Sequence, residues 1–106
     1  MSPRPGEVWL ADLGMAAKTR PVVVVSRYDE DPPRVLVLYV PLTSEERGSA
    51  YEVGMPKLPF LRLEGVANVQ GIGSLAVKRL ERRLAVLPAE VMEQIKKALR
   101  FALDLD

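Results

Sequence analysis

The run of four valines at positions 22–25 constrains the fold of this chain more than any other sequence feature. It stands within the segment TRPVVVVS, residues 19–26. β-Branched side chains favour strands, and an uninterrupted apolar run predicts a strand buried on both faces. Pro21 precedes the valines, and proline is accepted at the first position or at the edge of a strand. We therefore expect a strand over residues 21–27, with the charged Arg20 at its entrance.

Short apolar segments, separated by glycine, proline and aspartate, predict further strands along the chain. These segments cover residues 7–13, 34–42, 51–53, 60–69, 71–77 and 81–87. Gly71 and Gly73 lie in the sixth of the seven segments and predict a bulge or tight bend there.

The hydrophobic period changes near the C-terminus, where residues 88–105 predict one helix. Pro88 suits its first position. Its expected core stripe is Val91, Ile95, Leu99, Ala102 and Leu103. Five to seven short strands followed by a helix predict a mainly β fold with a C-terminal helix, as a strongly bent antiparallel sheet or partly open barrel. We expect residues 1–106 to form a single domain.

The residue types that are missing restrict the chemistry. The chain has 106 residues with no cysteine and no histidine. Disulfides and thiolate chemistry are excluded, and the commonest metal ligand is missing, so we expect no cofactor and no metal. The N-terminal MSPRPGEVW has no apolar core of a signal peptide, and no run of 18 apolar residues predicts a membrane span. These features predict a cytoplasmic protein.

The net charge of +1 indicates no partner, but the segment KRLERR at 78–83 has four basic residues against one acid. Such a cluster is an electrostatic footprint that nucleic acid can use. The cluster is also typical of a solvated strand end that protects a sheet edge from aggregation. On this feature alone, the strand end is the slightly favoured interpretation.

The order of several segments resembles that of MazF/PemK-type toxins, small bacterial endoribonucleases of type II toxin–antitoxin pairs. The segments are PGEVWLADL (5–13), RPVVVVS (20–26), VLVLYVPLTS (35–44), EGVANVQGIGSL (64–75) and RL (79–80). The resemblance covers nearly the whole chain. It implies an SH3-like barrel that forms a homodimer, binds single-stranded RNA at the dimer interface without a metal, and is blocked by an extended peptide of its cognate antitoxin.

The resemblance also implies a site. Arg20 matches the arginine of the family's Arg-Pro motif, and Thr43 matches the hydroxyl residue that ends the third-strand motif. In the family, these two residues act at the scissile phosphate while the ribose 2′-hydroxyl attacks it. Lys18, Ser44, Asn68 and Gln70 are the expected substrate-binding residues. From the residues alone, the favoured interpretation of Arg20 is a strand-end charge, and that of Thr43 is a turn hydroxyl bonded to nearby backbone.

The chain departs from the family pattern in the loop before Arg20. The segment LGMAAKT, residues 13–19, is shorter than usual and lacks a carboxylate. Glu45 and Glu46 are alternative carboxylates, or belong to a solvated loop. Asn68 and Gln70 stand where some members place an arginine and an aspartate. The alternative function is therefore a catalytically weak or inactive SH3-like barrel that binds nucleic acid or an antitoxin peptide. DNA contact is expected only together with an antitoxin.

Aromatic side chains provide few stacking surfaces for RNA bases. Tyr28 and Tyr51 lie in or beside loops and are the candidates for base stacking. Core packing is the expectation for the other four, Trp9, Tyr39, Phe60 and Phe101.

Overall fold

The computed structural model describes residues 2–14, 19–57 and 65–106. Seven strands and one α-helix lie within these residues. They are β1 Glu7–Asp12, β2 Thr19–Val24, β3 Leu36–Thr43, β4 Glu52–Gly54, β5 Val66–Asn68, β6 Gly73–Ala76, β7 Leu80–Val86 and α1 Ala89–Ala102. The predicted mainly β fold with a C-terminal helix is confirmed.

All strand pairs are antiparallel, in the order β4-β5-β3-β2-β1-β7, with β6 also paired to β3. The first half of β3 pairs with β6 and its last two residues pair with β5, so β3 changes partner near Pro41. The short 3₁₀ turn Val69–Gly71 connects β5 to β6 at that point. This exchange of partners bends the sheet around β3.

Strand β2 is buried on both faces, as the valine run predicted. Val23 belongs to a cluster that α1 covers, whereas Val22 and Val24 belong to a second cluster on the opposite face. All three side chains are fully buried. The first cluster also contains Val8, Val40, Leu42, Val91 and Ile95, and the second contains Ala11, Val37, Leu75, Val77 and Leu80.

The boundaries of β2 differ from the prediction. The strand begins at Thr19 and ends at Val24, rather than covering residues 21–27. Arg20 lies inside it because β1 extends beyond Pro21 and pairs Ala11 with Arg20. Of the bulge or tight bend predicted near Gly71 and Gly73, the structure has the tight bend, as the 3₁₀ turn Val69–Gly71, and register shifts occur between β1 and β7.

Two other predicted segments also differ. In the predicted segment 60–69, the strand covers Val66–Asn68, and residues 58–64 lie outside the described residues. In α1, Pro88 is the N-cap rather than the first helical residue. Its carbonyl accepts hydrogen bonds from the N–H groups of Val91 and Met92.

The core stripe of α1 was predicted only in part. Val91 and Ile95 are buried, but Leu103 lies beyond the last turn and is 50% exposed. Met92 and Ala98 are buried instead. In the described part of the chain, no helix is both long enough and apolar enough to cross a bilayer.

The buried carboxylate of Glu7 joins three parts of the chain. It accepts hydrogen bonds from the Arg4 N–H and the Trp9 indole N–H, both at 3.0 Å, and from the Arg83 guanidinium at 3.2 Å. Burial raises the pKa of Glu7, but these donors outweigh it and hold the pKa below its ordinary value of 4.5. Glu7 thereby holds the N-terminal segment and β7 against β1.

The replacement Glu7→Gln tests this junction. Because the pKa of Glu7 is lowered in the folded state, its stabilising contribution is complete above the ordinary pKa and is lost as the pH falls through the folded value. We expect the variant to be less stable at pH 7, and its free energy of unfolding to fall less between pH 5 and pH 3 than that of the wild type. Urea unfolding at several pH values measures this, with the exposed Glu46→Gln as control. Equal pH dependence in Glu7→Gln and wild type contradicts the assignment.

Candidate active site

Arg20 and Thr43 lie near the same end of the β2–β3 pair. The antiparallel ladder between these strands ends with Val22 opposite Pro41, and Arg20 and Thr43 each lie two residues beyond that pair. Because side chains alternate between the two faces of a strand, Arg20 lies on the face of Val22 and Thr43 on the face of Pro41. The two residues expected to act on the phosphate are thus on one face at the same end of the sheet.

Arg20 is exposed at this end of β2, although the strand beyond it is buried. Its backbone is paired with Ala11 of β1, whose small side chain is fully buried. Pro21 restricts Arg20 to extended geometry. No hydrogen bond or ion pair to the Arg20 side chain is found among the described residues. The guanidinium therefore extends from a rigid strand, and its N–H donors face solvent.

Thr43 is half-buried, and its side chain is held by a local hydrogen bond. The Thr43 Oγ1 accepts a hydrogen bond from the Glu45 N–H at 3.1 Å. This is the geometry expected for a threonine that only stabilises a turn. This bond uses an oxygen lone pair and leaves the hydroxyl proton available to donate. The turn is therefore compatible with donation to a bound phosphate.

Gly65 lies directly against the backbone of Thr43. Its φ of +119° is a conformation that other residues rarely adopt. A Cβ at this position would overlap the Thr43 carbonyl oxygen and come within 3.0 Å of the Ser44 Cα. Glycine at position 65 thus allows the chain entering β5 to cross close to the site. In the sequence, the only sign of this role is that residue 65 is a glycine.

Glu52 organises the loop that follows Thr43. Its carboxylate accepts from the Arg47 N–H at 2.9 Å and from the Ser49 N–H at 2.7 Å. These two hydrogen bonds are the main reason that the pKa of Glu52 is lowered. Sequence reasoning missed Glu52, because the contact depends on how the loop folds back onto β4.

The alternative carboxylates lie in this loop. The Glu45 carboxylate is exposed and pairs with Arg47 at 3.4 Å, and Glu46 is also exposed. This arrangement fits the solvated-loop interpretation of both residues. Exposed ion pairs of this kind contribute little to stability.

Asn68 lies on the same face as Arg20 and Thr43. The β3–β5 register, with Leu42 opposite Ala67, sets Asn68 opposite Pro41 when continued by one residue. Asn68 is then the diagonal neighbour of Thr43, at a separation of about 7–8 Å. Asn68 is half-buried, on the face of the sheet that carries Thr43.

The other predicted substrate-binding residues surround this group. The Asn68 Oδ1 accepts from the Gln70 N–H at 3.1 Å and caps the 3₁₀ turn, and the Gln70 side chain is exposed. Ser44 is exposed immediately after Thr43. Lys18 lies outside the described residues. The structure therefore groups Arg20, Thr43 and Asn68 on one face, with Gln70 and Ser44 following Asn68 and Thr43 in the chain.

The two tyrosines predicted to stack on bases have intramolecular partners. The Arg4 guanidinium lies 3.9 Å from the centre of the Tyr28 ring, and the Tyr28 hydroxyl donates to Glu30. The Tyr51 ring lies 5.2 Å from that of Phe101. The prediction of Phe101 as a core residue is wrong, since it is 56% exposed. Trp9 and Tyr39 are half-buried against the second cluster, and Phe60 lies outside the described residues.

A groove of about 440 Å³ lies at the other end of the β2–β3 pair. Its lining includes the apolar Leu36 and Val77, and three acidic residues, Asp29, Glu30 and Asp31, against the one basic Arg27. Acidic side chains repel a polyanion, so this groove does not suit RNA.

Comparison with known proteins identifies the family. The model described as "PemK-like, MazF-like toxin of type II toxin-antitoxin system" matches residues 4–103. The chain belongs to this toxin family. This confirms the resemblance drawn from the order of the sequence motifs.

Two relatives and a solved structure match this chain over nearly its whole length. The "Probable endoribonuclease MazF5" of Mycobacterium tuberculosis is 34% identical over 103 residues, covering 96% of this chain and 94% of the relative. Endoribonuclease MazF6 of the same species is 30% identical, covering 93% and 95%. A mycobacterial endoribonuclease solved with its cognate antitoxin has a TM-score of 0.85 at 29% identity, covering 98% of this chain and 97% of that one. The MazF fold is therefore shared over nearly the full length.

The replacement Gly65→Ala tests the contact beneath Thr43. The added Cβ would overlap the Thr43 carbonyl in a backbone conformation unsuited to alanine, so we expect a loss of about 1–3 kcal/mol in the free energy of unfolding. Chemical denaturation measures the loss. Gly54→Ala is the matched control, because no atom lies within 4 Å of its added Cβ and its φ is not positive. Equal stability of the two variants contradicts the close approach.

Proposed function

We propose that this protein is the toxin of a toxin–antitoxin pair and acts as a metal-independent endoribonuclease on single-stranded RNA. The observation that carries the proposal is that Arg20 and Thr43 each lie two residues beyond the Val22–Pro41 pair, on one face at the same end of β2 and β3. The family membership and the endoribonuclease names of the two mycobacterial relatives support it.

The proposed reaction is an attack of the ribose 2′-oxygen on the adjacent phosphorus. A bond forms between the 2′-oxygen and phosphorus, and the bond from phosphorus to the 5′-oxygen of the next nucleotide breaks. The 2′-hydroxyl proton leaves to solvent, and the departing 5′-oxygen takes up a proton from solvent. The products are a 2′,3′-cyclic phosphate and a 5′-hydroxyl.

Arg20 provides the electrostatic part of this mechanism. Negative charge accumulates on the two non-bridging phosphate oxygens during attack, and the planar guanidinium can donate a hydrogen bond to each. Its positive charge is independent of pH in the working range. A preorganised donor of this kind stabilises the transition state without reorganisation, because the strand beneath it is buried on both faces.

Thr43 and Asn68 complete the proposed site. The Thr43 hydroxyl donates to the same phosphate or orients the attacking 2′-hydroxyl, while its oxygen stays bonded to the Glu45 N–H. The amides of Asn68 and Gln70 can both donate and accept hydrogen bonds at base edges. Ser44 follows Thr43 and offers a further hydroxyl.

A second function, binding without efficient cleavage, is favoured by one observation. Among the described carboxylates, none is hydrogen-bonded to Arg20 or Thr43, and the Asp12 carboxylate accepts from the Gly14 N–H at 2.8 Å. A general base normally lies within hydrogen-bond reach of the proton that it removes. A barrel that binds RNA or an antitoxin peptide with slow cleavage is therefore the alternative.

The replacement Arg20→Ala separates these functions. Loss of one preorganised donor should lower the rate of cleavage of a mixed-sequence RNA in EDTA about 10²–10³-fold. The matched control is Arg34→Ala, an exposed arginine before β3 at the opposite end of the β2–β3 pair, which should cleave at the wild-type rate. Gel analysis of end-labelled RNA measures the rate, and circular dichroism confirms folding. If folded wild-type protein leaves all RNA sequences intact, the endoribonuclease proposal is contradicted. Salt-dependent RNA binding without cleavage would then support a barrel that binds without efficient cleavage.

We also propose a homodimer and a cognate antitoxin as partners, with DNA contacted only in the toxin–antitoxin complex. The solved mycobacterial relative in complex with its antitoxin supports the second partner. We propose a cytoplasmic location, which an RNA substrate and such a partner support. We expect light scattering to give twice the chain mass, and the antitoxin encoded beside this gene to abolish cleavage at equimolar amounts. A monomeric mass, or undiminished cleavage with bound antitoxin, contradicts the respective proposal.

A further inference from the structure

Arg79 lies at the same end of the sheet as Arg20, although the two residues are far apart in the sequence. Ala11 of β1 pairs with Arg20 on one side and with Leu80 on the other. The Cα atoms of Arg20 and Leu80 are therefore separated by two strand spacings, about 10 Å. Arg79 directly precedes Leu80, and its Nη1 donates to the Asp12 carbonyl oxygen at 3.5 Å. Its guanidinium is thus held at the end of β1, next to the strand that carries Arg20.

Gly14 provides the space that Arg79 occupies. A Cβ at Gly14 would lie 2.7 Å from the Arg79 Nη1 and 3.7 Å from its Cζ. Gly14 has a φ of +71°, which also favours glycine at this position. The guanidinium therefore lies against bare backbone where β1 ends. The contact with Asp12 uses one of five N–H donors, and the side chain is exposed, which leaves other donors for a ligand.

The charges around Arg79 differ from those around its neighbour Arg83. Arg83 pairs with the buried Glu7 carboxylate at 3.2 Å. Among the described residues, no acidic side chain pairs with Arg79. The nearby Asp12 carboxylate is bonded to the Gly14 N–H at 2.8 Å. Among the described residues at the ends of β1, β2 and β7, the two arginines Arg20 and Arg79 thus lie with one carboxylate, that of Asp12, which leaves a net positive charge there.

We propose that Arg79 binds a non-scissile phosphate of the RNA while Arg20 holds the scissile one. The inference rests on the proposed endoribonuclease function. An RNA strand is a row of regularly spaced phosphates, so a second guanidinium at the end of the adjacent strand β1 meets the same RNA strand further along. Arg79 is a substrate-binding residue in this arrangement and takes no part in the bond-making step. It accounts for one of the four basic residues of KRLERR that the active site itself does not use.

The experiment uses short RNA oligonucleotides in which one phosphate at a time is replaced by an uncharged methylphosphonate. Wild-type protein should lose about tenfold in kcat/KM when the phosphate bound by Arg79 is neutralised. On unmodified RNA, Arg79→Ala should have a KM raised by about the same factor and an unchanged kcat. Its kcat/KM should not fall further when a methylphosphonate replaces the phosphate that Arg79 binds in the wild type. The slope of log(kcat/KM) against log[salt] should decrease by about 0.7, the value for one phosphate contact on a single strand. Arg79→Lys keeps the charge and should restore part of the affinity.

Arg34→Ala removes the same charge at the other end of the β2–β3 pair and should behave as wild type. A structural role of Arg79 would lower activity on every oligonucleotide equally and leave the salt slope unchanged, and this result overturns the proposal. A kcat/KM of Arg79→Ala equal to wild type also overturns it, without affecting the proposed nuclease. If the wild type binds but does not cleave, the nuclease proposal fails, and the same series measured by fluorescence anisotropy tests the Arg79 contact.

Discussion

Burial of β2 on both of its faces is the constraint on which the proposed site depends. Val23 is enclosed by the cluster under α1, and Val22 and Val24 by the cluster on the other side. A strand held in this way has a single register against β1 and β3, because a shift by one residue would exchange the two buried sets. The positions of Arg20 and Thr43 at one end of the β2–β3 pair follow from that register. The rigid part of the molecule is therefore apolar, and the residues of the proposed site lie at its exposed end.

Close backbone approaches complete the site, and two glycines make them possible. Gly65 lets the chain entering β5 pass against the Thr43 carbonyl, and Gly14 leaves room for the Arg79 guanidinium at the end of β1. Each has a positive φ. Backbone N–H groups of the loop between β3 and β4 donate hydrogen bonds to the side chains of Thr43 and Glu52, which hold this loop in place. The site is thus shaped mainly by backbone geometry, with few contacts between side chains.

Much of the fold could be predicted because strands and helices leave local patterns in the sequence. The valine run predicted a doubly buried strand, and the change of hydrophobic period predicted α1. The boundaries were less accurate, because they depend on neighbours: Arg20 lies within β2 since β1 continues beside it. Phe101 was expected in the core, but it is 56% exposed, and its ring lies 5.2 Å from that of Tyr51.

The sequence alone determined the residue types available to the site, the mainly β architecture with its terminal helix, and the family. These properties follow from composition, from hydrophobic period and from the order of short motifs. Only the tertiary structure decided which polar residues share a face. Arg20, Thr43 and Asn68 come from three strands, and their proximity follows from cross-strand register, a non-local property. The placement of Arg79 beside β1 has the same cause, since β7 reaches this position only by pairing with the first strand of the chain.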